Sequence, residues 1–291
     1  PKTDTRLSET MGYMSPNGAR ELLSDPHYEL LPFDGLYEEA DELPVGATVA
    51  LTASPEKGVD ETIDRSIELA DRGFTVSTHV AARGVRSQDH LEEIADRLQE
   101  AGIDDIFVPG GDNEEPEGPY DSAYALLVDL EEELGREFGQ VGITGYPEGH
   151  QFIDDDTLWD HLEKKAPYAD YIVTQMTFDP EAVGTWARTV RDDAGVDLPI
   201  IVGVPGVMKY QRLLKISRQI GVGDSLSYLR KTTGVFDFVK QFLGSRGQYA
   251  PDDFIEGIGE LYEAGDYGIE AVHLYTFNQA ADTEGWRQGY L

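Results

Sequence analysis

Ile106-Phe107-Val108-Pro109-Gly110-Gly111-Asp112 is the stretch on which the fold turns. Four apolar residues read as a buried strand, two glycines let the backbone turn, and a carboxylate stands where the strand emerges. An apolar run of this kind, ending in Gly-Gly-Asp before the polar loop from Asn113 to Pro119, points to a parallel sheet, whose strands are covered on both faces. Ligands of such sheets gather beyond the carboxyl ends of the strands. Asp112 is therefore a candidate site residue on position alone. The competing reading is that it only N-caps the next helix.

Working outward, the same pattern repeats. Strand-like runs fall at 28–32, 48–53, 75–81, 106–110, 141–145, 171–176, 200–204 and 271–277. Helical periodicity occupies 60–70, 89–101, 122–134, 156–165, 180–193, 210–220 and 253–264. Eight strands alternating with helices, with no break in composition, predict a single (β/α)8 TIM barrel over 27–291. Residues 1–26 are polar, with a short helical stretch at 19–23, and read as an N-terminal extension. A doubly wound open sheet is the runner-up, disfavoured because the first strand lacks a Gly-x-Gly-x-x-Gly turn.

Composition narrows the chemistry. The chain has no cysteine, which excludes disulfides, thiolate nucleophiles and Cys-ligated zinc. It carries 56 acidic against 23 basic residues, a net charge of −33, and only 8 of the bases are lysine. Such a surface repels nucleic acid and anionic membranes. Spread over helices and loops, it suits a halophilic protein whose self-repulsion is screened by molar salt. No signal peptide or membrane-length apolar run is present, and Pro1 fits a processed start, so a cytoplasmic location is expected. Against this background, residues 209–246 hold eight bases and two acids, a net of +6. That segment reads either as an ordinary helix pair neutralising acidic neighbours or as an anion-receiving patch near the barrel mouth. In the second reading Arg230 and Lys231 follow an anion-binding turn at 221–225.

Catalytic side chains of a barrel lie at the carboxyl ends of its strands. Those positions hold Glu29, Thr52, His79, Asp112, Tyr146 with Glu148 and His150, Gln175, Tyr210, and Tyr275 with Asn278. Singly, each has a structural reading, since a barrel interior tolerates a satisfied Thr, Tyr or His. Glu29 is harder to dismiss. It lies within Tyr28-Glu29-Leu30-Leu31-Pro32, and a carboxylate among apolar neighbours is costly unless paired. Burial of this kind raises a carboxyl pKa and makes Glu29 a candidate general acid. His79, Asp112, Glu148 and His150 offer a nitrogen–oxygen set for zinc or manganese, yet no short ligand spacing supports it, and no metal is expected. Serine-hydrolase elbows and Walker-type loops are absent.

In this order the strand ends resemble the methylenetetrahydrofolate reductase family. The matching pieces are Tyr28-Glu29-Leu30-Leu31-Pro32, Val49-Ala50-Leu51-Thr52, His79, Gly111-Asp112 and Gly145-Tyr146-Pro147-Glu148-Gly149-His150. They continue with Lys164, Ile172-Val173-Thr174-Gln175 and His273-Leu274-Tyr275-Thr276-Phe277-Asn278. The likeness spans about residues 27 to 280. It implies reduction of 5,10-methylenetetrahydrofolate to 5-methyltetrahydrofolate, with hydride from NADH or NADPH by way of FAD. By that resemblance Glu29 protonates the folate N10 and Asp112 supports the cationic iminium. Gln175, Tyr210 and Tyr275 contact substrate, while Thr52, His79, Gly111, Asp112, Tyr146, His150 and Lys164 contact the flavin. Two positions depart from the family pattern. Gly110 stands where an arginine is usual, and Glu163 precedes Lys164 where a base often lies, so less positive charge faces a pyrophosphate. Hydride transfer without flavin is the first alternative, and a pterin-binding, methyl-transferring barrel the second. A homo-oligomer is an open option.

Overall fold

The structure, a computed structural model, describes residues 17–219 and 247–291. Eight strands form a closed parallel barrel: β1 (His27–Leu30), β2 (Thr48–Leu51), β3 (Thr75–His79), β4 (Asp105–Phe107), β5 (Gln140–Gly145), β6 (Tyr171–Thr174), β7 (Ile200–Pro205) and β8 (Ile269–Tyr275). The expected strands are all present, several of them shorter at the carboxyl end. Around them run α2 (Leu36–Ala40), α3 (Val59–Asp71), α4 (Gln88–Glu100), α5 (Ala123–Val128), α6 (Asp155–Lys165), α7 (Pro180–Asp192), α8 (Tyr210–Gln219), α9 (Asp252–Ala264) and α10 (Ala280–Gln288). The helix expected over 122–134 divides: α5 ends at Val128 and a wide π turn takes Asp129–Glu133. The turn at 221–225 and the helix of Arg230 and Lys231 lie outside the described residues. No helix among the described residues is long and apolar enough to cross a membrane.

Alternation along each strand divides two cores. Outward side chains such as Val49, Val76, Ile106, Ile143, Ile172, Val202 and Leu274 join the helices in one continuous apolar layer. Inward ones, Phe107, Tyr171, Val173 and Ile201 with Ala271, plug the barrel. Gly142 makes room for this plug, because a Cβ there would lie 2.4 Å from the Tyr171 ring. Towards the amino end of the barrel, Tyr171 donates to Asp105 Oδ1 at 2.7 Å and Ser77 Oγ lies 3.1 Å from the same oxygen. Burial pushes the Asp105 carboxyl up to about 6.

Closure rests on β1 pairing with both β2 and β8, in a register that sets Glu29 beside Tyr275 and His27 beside His273. Outside this seam, α1 (Asn17–Leu22) packs on α9. The polar segment before β1 is thus docked from residue 17 onward. Arg287 of α10 holds it too, donating to Leu23 O at 2.7 Å and to Glu284 Oε2 at 2.7 Å.

The α1–α9 crossing is made by two glycines, Gly18 and Gly259. A Cβ on Gly259 would meet the backbone nitrogen of Ala19 at 2.5 Å, and backbone cannot give way as a flexible side chain can. Gly259→Ala is expected to lower stability by about 1–3 kcal/mol through overpacking. A denaturant melt in molar salt checks this, and an unchanged midpoint would show that the crossing relaxes freely.

Candidate active site

The carboxyl ends of the strands surround a cavity with two connected chambers. The inner one, about 330 Å³, opens above β1 to β6, and the outer one, about 900 Å³, spreads between the loops after β4 and β5 and the start of α6. Glu29, Thr52, His79 and Tyr275 line the inner chamber. Gly111, Asp112, Tyr146, His150 and Gln175 border both. Nine of the eleven candidate residues thus meet in one place.

Glu29 is carried to the floor of the inner chamber by the β1–β8 seam. It is 7% exposed, and its Oε2 lies 3.1 Å from Nε2 of His273, itself 2% exposed. The buried carboxylate is paired, as its apolar surroundings require. Beyond β8 the chain stays tied to β1. Thr276 Oγ1 donates to the carbonyl of Glu29 at 2.5 Å. The Asn278 amide mimics a further strand residue, accepting from Leu31 N at 2.8 Å and donating to Leu31 O at 3.2 Å. Phe277 and Asn278 both take positive φ, 48° and 53°, to make that turn. The Tyr275 ring lies across Gly203, where a Cβ would come within 2.6 Å of it, and its hydroxyl donates to Thr174 O at 2.9 Å.

The facing wall comes from the opening stretch. Ladder bonds from Ala82 N to Pro109 O and from Arg83 N to Gly110 O extend the β3–β4 pairing past Phe107. Gly111 then turns with φ 96°, in a space where a Cβ would sit 3.1 Å from that of Ala81. Asp112 enters the cavity there. It does not cap the next helix, because Ser122 does so, its Oγ accepting from Ala125 N. The loop behind Asp112 hangs on Arg83, whose guanidinium donates to three carbonyls: Asn113 at 2.7 Å, Glu114 at 2.6 Å and Asp121 at 3.1 Å.

Two imidazoles of the barrel interior, His79 and His27, are held neutral at ordinary pH. Burial is the main cause, lowering His79 to about 3 and His27 to about 4. Burial also lowers His150, against the opposing pull of Asp112. Thr52 Oγ1 is a buried hydroxyl with no partner among the described residues, a feature that calls for a bound group or a water. A floor of neutral rings and hydroxyls with carboxylates at two edges suits a flat heteroaromatic ligand that becomes cationic.

Two expectations fail. Lys164 does not face the cavity, because its ammonium binds Asp160 one helical turn back, at 2.6 Å on the exposed side of α6. Lys165 lines the outer chamber in its place, 5% exposed, with Nζ 3.0 Å from Thr144 Oγ1. The periodicity of α6 carried this signal, since Leu158, Leu162 and Lys165 fall on one face at i, i+4 and i+7. Tyr210 is not brought to the cavity either. It is buried in a separate cluster with Met176, Phe178, Met208, Leu213 and Tyr249. A short antiparallel pairing of Met208–Lys209 with Gln248–Tyr249 turns it there. His273, which meets Glu29 directly, is a site residue that strand-end position alone does not pick out. Among the described residues no three His, Asp or Glu side chains form a metal cage.

Burial lowers the Lys165 ammonium to about 8. Its folded-state value lies below the unfolded one near 10.4, so the unfolded chain binds more protons between about pH 8 and 10.4. Lys165 therefore opposes folding at pH 7, and its contribution improves as pH rises through that window. Lys165→Met is expected to be more stable than the parent at pH 7 in molar salt, with the gap closing above pH 8. Melts at pH 7 and 9.5 measure this, and Lys164→Met serves as the control without such a gap.

The comparisons with known proteins agree with this geometry. The methylenetetrahydrofolate reductase family matches residues 42–285, from before β2 into α10. Methylenetetrahydrofolate reductase 1 of Schizosaccharomyces pombe is 29% identical over 223 residues, covering 73% of this chain and 35% of that protein. Methylenetetrahydrofolate reductase 2 of the same yeast is 27% identical over 159 residues, covering 48% of this chain and 25% of that protein. The chain spans about a third or less of the length of these relatives. Glu29 precedes the family match, and its place in the site rests on the register of β1 with β8. With seven of its eight barrel strands inside the match, the chain belongs to the methylenetetrahydrofolate reductase family.

Proposed function

We propose that this chain reduces 5,10-methylenetetrahydrofolate to 5-methyltetrahydrofolate with hydride from NADH or NADPH. The observation that carries the reading is the pair of carboxylates, Glu29 and Asp112, delivered to one chamber by β1 and by the turn after β4. Glu29 gives its proton to N10 of the folate, and the bond from N10 to the bridging methylene breaks with its electron pair going to nitrogen. The methylene remains on N5 as a cationic iminium, which the fixed charge of Asp112 stabilises. Hydride adds to that carbon and completes the methyl group. Gln175 and Tyr275 hold the pterin edge, and the neutral His79 and Tyr146 keep the chamber from adding a competing charge.

The family resemblance implies FAD as the hydride carrier. The inner chamber and the Thr52 hydroxyl, unpartnered among the described residues, suit a flavin ring. The pyrophosphate is less well served. Among the described lining residues the Lys and Arg side chains are Arg83 and Lys165; Arg83 is committed to three carbonyls, and burial weakens the charge of Lys165. Asp112, Glu114, Glu117, Asp121 and Asp155 face the same space. The described residues therefore do not fit the whole of a resident FAD. Direct hydride transfer is the second reading. A nicotinamide that leaves at each turnover needs less grip on its pyrophosphate than a permanently held flavin.

Purified protein is expected to show no flavin absorbance in the visible range under the second reading, whereas a bound yellow chromophore would restore the first. In either case Glu29→Gln should cut turnover about a hundred- to ten-thousandfold while the fold persists, because a general acid alone is removed. Near-normal turnover in that variant takes Glu29 out of the mechanism.

A further inference from the structure

The carboxyl group of Glu29 has two oxygens with different surroundings. Oε2 meets His273, while Oε1 has no hydrogen bond from the described protein, in a residue that lines the inner chamber. His273 is equally lopsided. Nε2 faces Glu29, and Nδ1 is buried with no partner among the described residues. An imidazole so placed has two neutral forms. If Nδ1 carried the hydrogen, a buried N–H would be left without an acceptor, and Nε2 could only accept from a protonated Oε2. If Nε2 carries it, the unpartnered atom is a lone pair, which buried structure tolerates better than an orphaned N–H. That form donates to Oε2.

We propose that His273 is a positioning residue for the acid step: as the Nε2–H tautomer it occupies Oε2 of Glu29 and so confines the acidic proton of Glu29 to Oε1, the oxygen on the chamber side. The inference rests on the reductase reading above for its purpose, though not for its geometry. The surroundings support it from each packed strand. His27 on β1 and His79 on β3 are both held neutral, chiefly by burial, and set no charge beside the pair. Tyr275, two residues along β8, stacks edge-on to His273 at 4.8 Å between ring centroids and directs its hydroxyl away to Thr174 O. None of the three hydrogen-bonds to His273, so Glu29 is its partner among the described residues. After the proton leaves Oε1, the carboxylate that remains still receives the N–H of His273, and no tautomer change is needed within the turnover. His273 touches neither substrate nor cofactor in this scheme, and no proton passes through it.

Two measurements test it. The chain has six histidines, so nitrogen-15 spectra of labelled wild-type protein, with His273→Gln to assign the signal, read the tautomer directly. A hydrogen on Nε2 with a bare Nδ1 is expected. A hydrogen on Nδ1, or on both nitrogens, overturns the proposal whatever the enzyme reduces. In the reductase assay, His273→Phe should lower kcat about ten- to a hundredfold with KM for the folate unchanged, since misplacing a reacting group by an ångström has costs of that order. His273→Gln, whose amide can donate to Oε2, should recover most of that loss. Equal losses in the two variants, or a change confined to KM, would assign His273 to packing or to binding. Should His273→Phe fail to fold, the spectrum of the wild-type protein still decides the hydrogen bond. A wild-type protein that reduces no methylenetetrahydrofolate counts against the reductase reading and leaves the tautomer result standing.

Discussion

The seam between β1 and β8 is the constraint on which the rest of this molecule depends. A parallel sheet of eight strands becomes a barrel only when its first and last members pair, and here the pairing is in exact step, His27 to His273 and Glu29 to Tyr275. Shifting β1 by one residue would send Glu29 outward into the apolar layer and Tyr28 inward. The register is defended from several sides. Tyr28 reaches Glu284 of α10 on the outside, Thr276 grips the Glu29 carbonyl, and the Asn278 side chain continues the ladder where the strand has ended. The same contacts that close the barrel therefore aim its buried acid.

Charge inside the barrel is handled very differently from charge outside. The surface carries a large acidic excess that salt can screen, whereas the interior admits few ions and pairs or neutralises each. Glu29 has an imidazole, Asp105 has a phenol and a hydroxyl, and Lys165 has a threonine hydroxyl. His27 and His79 remain uncharged. The proposed reaction, which passes through a cation, would need such a background. The field at the reacting carbon is then set by one or two nearby carboxylates, and not by the sum of a crowded surface.

Much of this was legible in the chain itself, and the reasons for the remainder are physical. Parallel strands covered on both faces write themselves as apolar runs, so the eight strands and the residues at their carboxyl ends could be read directly. Glu29 stood out because a carboxylate inside Tyr-Glu-Leu-Leu-Pro needs an explanation. What spacing could not convey was a rotation or a fold-back. Lys164 and Lys165 differ by 100° around α6, and the adjacent Asp160 draws the first away. Tyr210 follows β7 closely enough to look like a strand-end residue, yet the small antiparallel strand pair diverts it into its own apolar cluster. His273 was hidden for another reason. Its partner lies at the opposite end of the sequence, and only the closed barrel brings them together.

Arg83 offers a different kind of consequence. One guanidinium collects the carbonyls of Asn113, Glu114 and Asp121, and its own carbonyl receives Glu117 N–H. The loop after Asp112 therefore has no graded way to loosen. Its peptide groups are gathered on a single anchor, so release of that anchor frees the segment as a unit, a small cooperative opening of the kind that precedes global unfolding. Neutral peptide dipoles, unlike carboxylates, form this anchorage, so it depends little on the ionic atmosphere that governs the acidic exterior. The loop that presents Asp112 is thereby kept mechanically separate from the salt-sensitive surface around it.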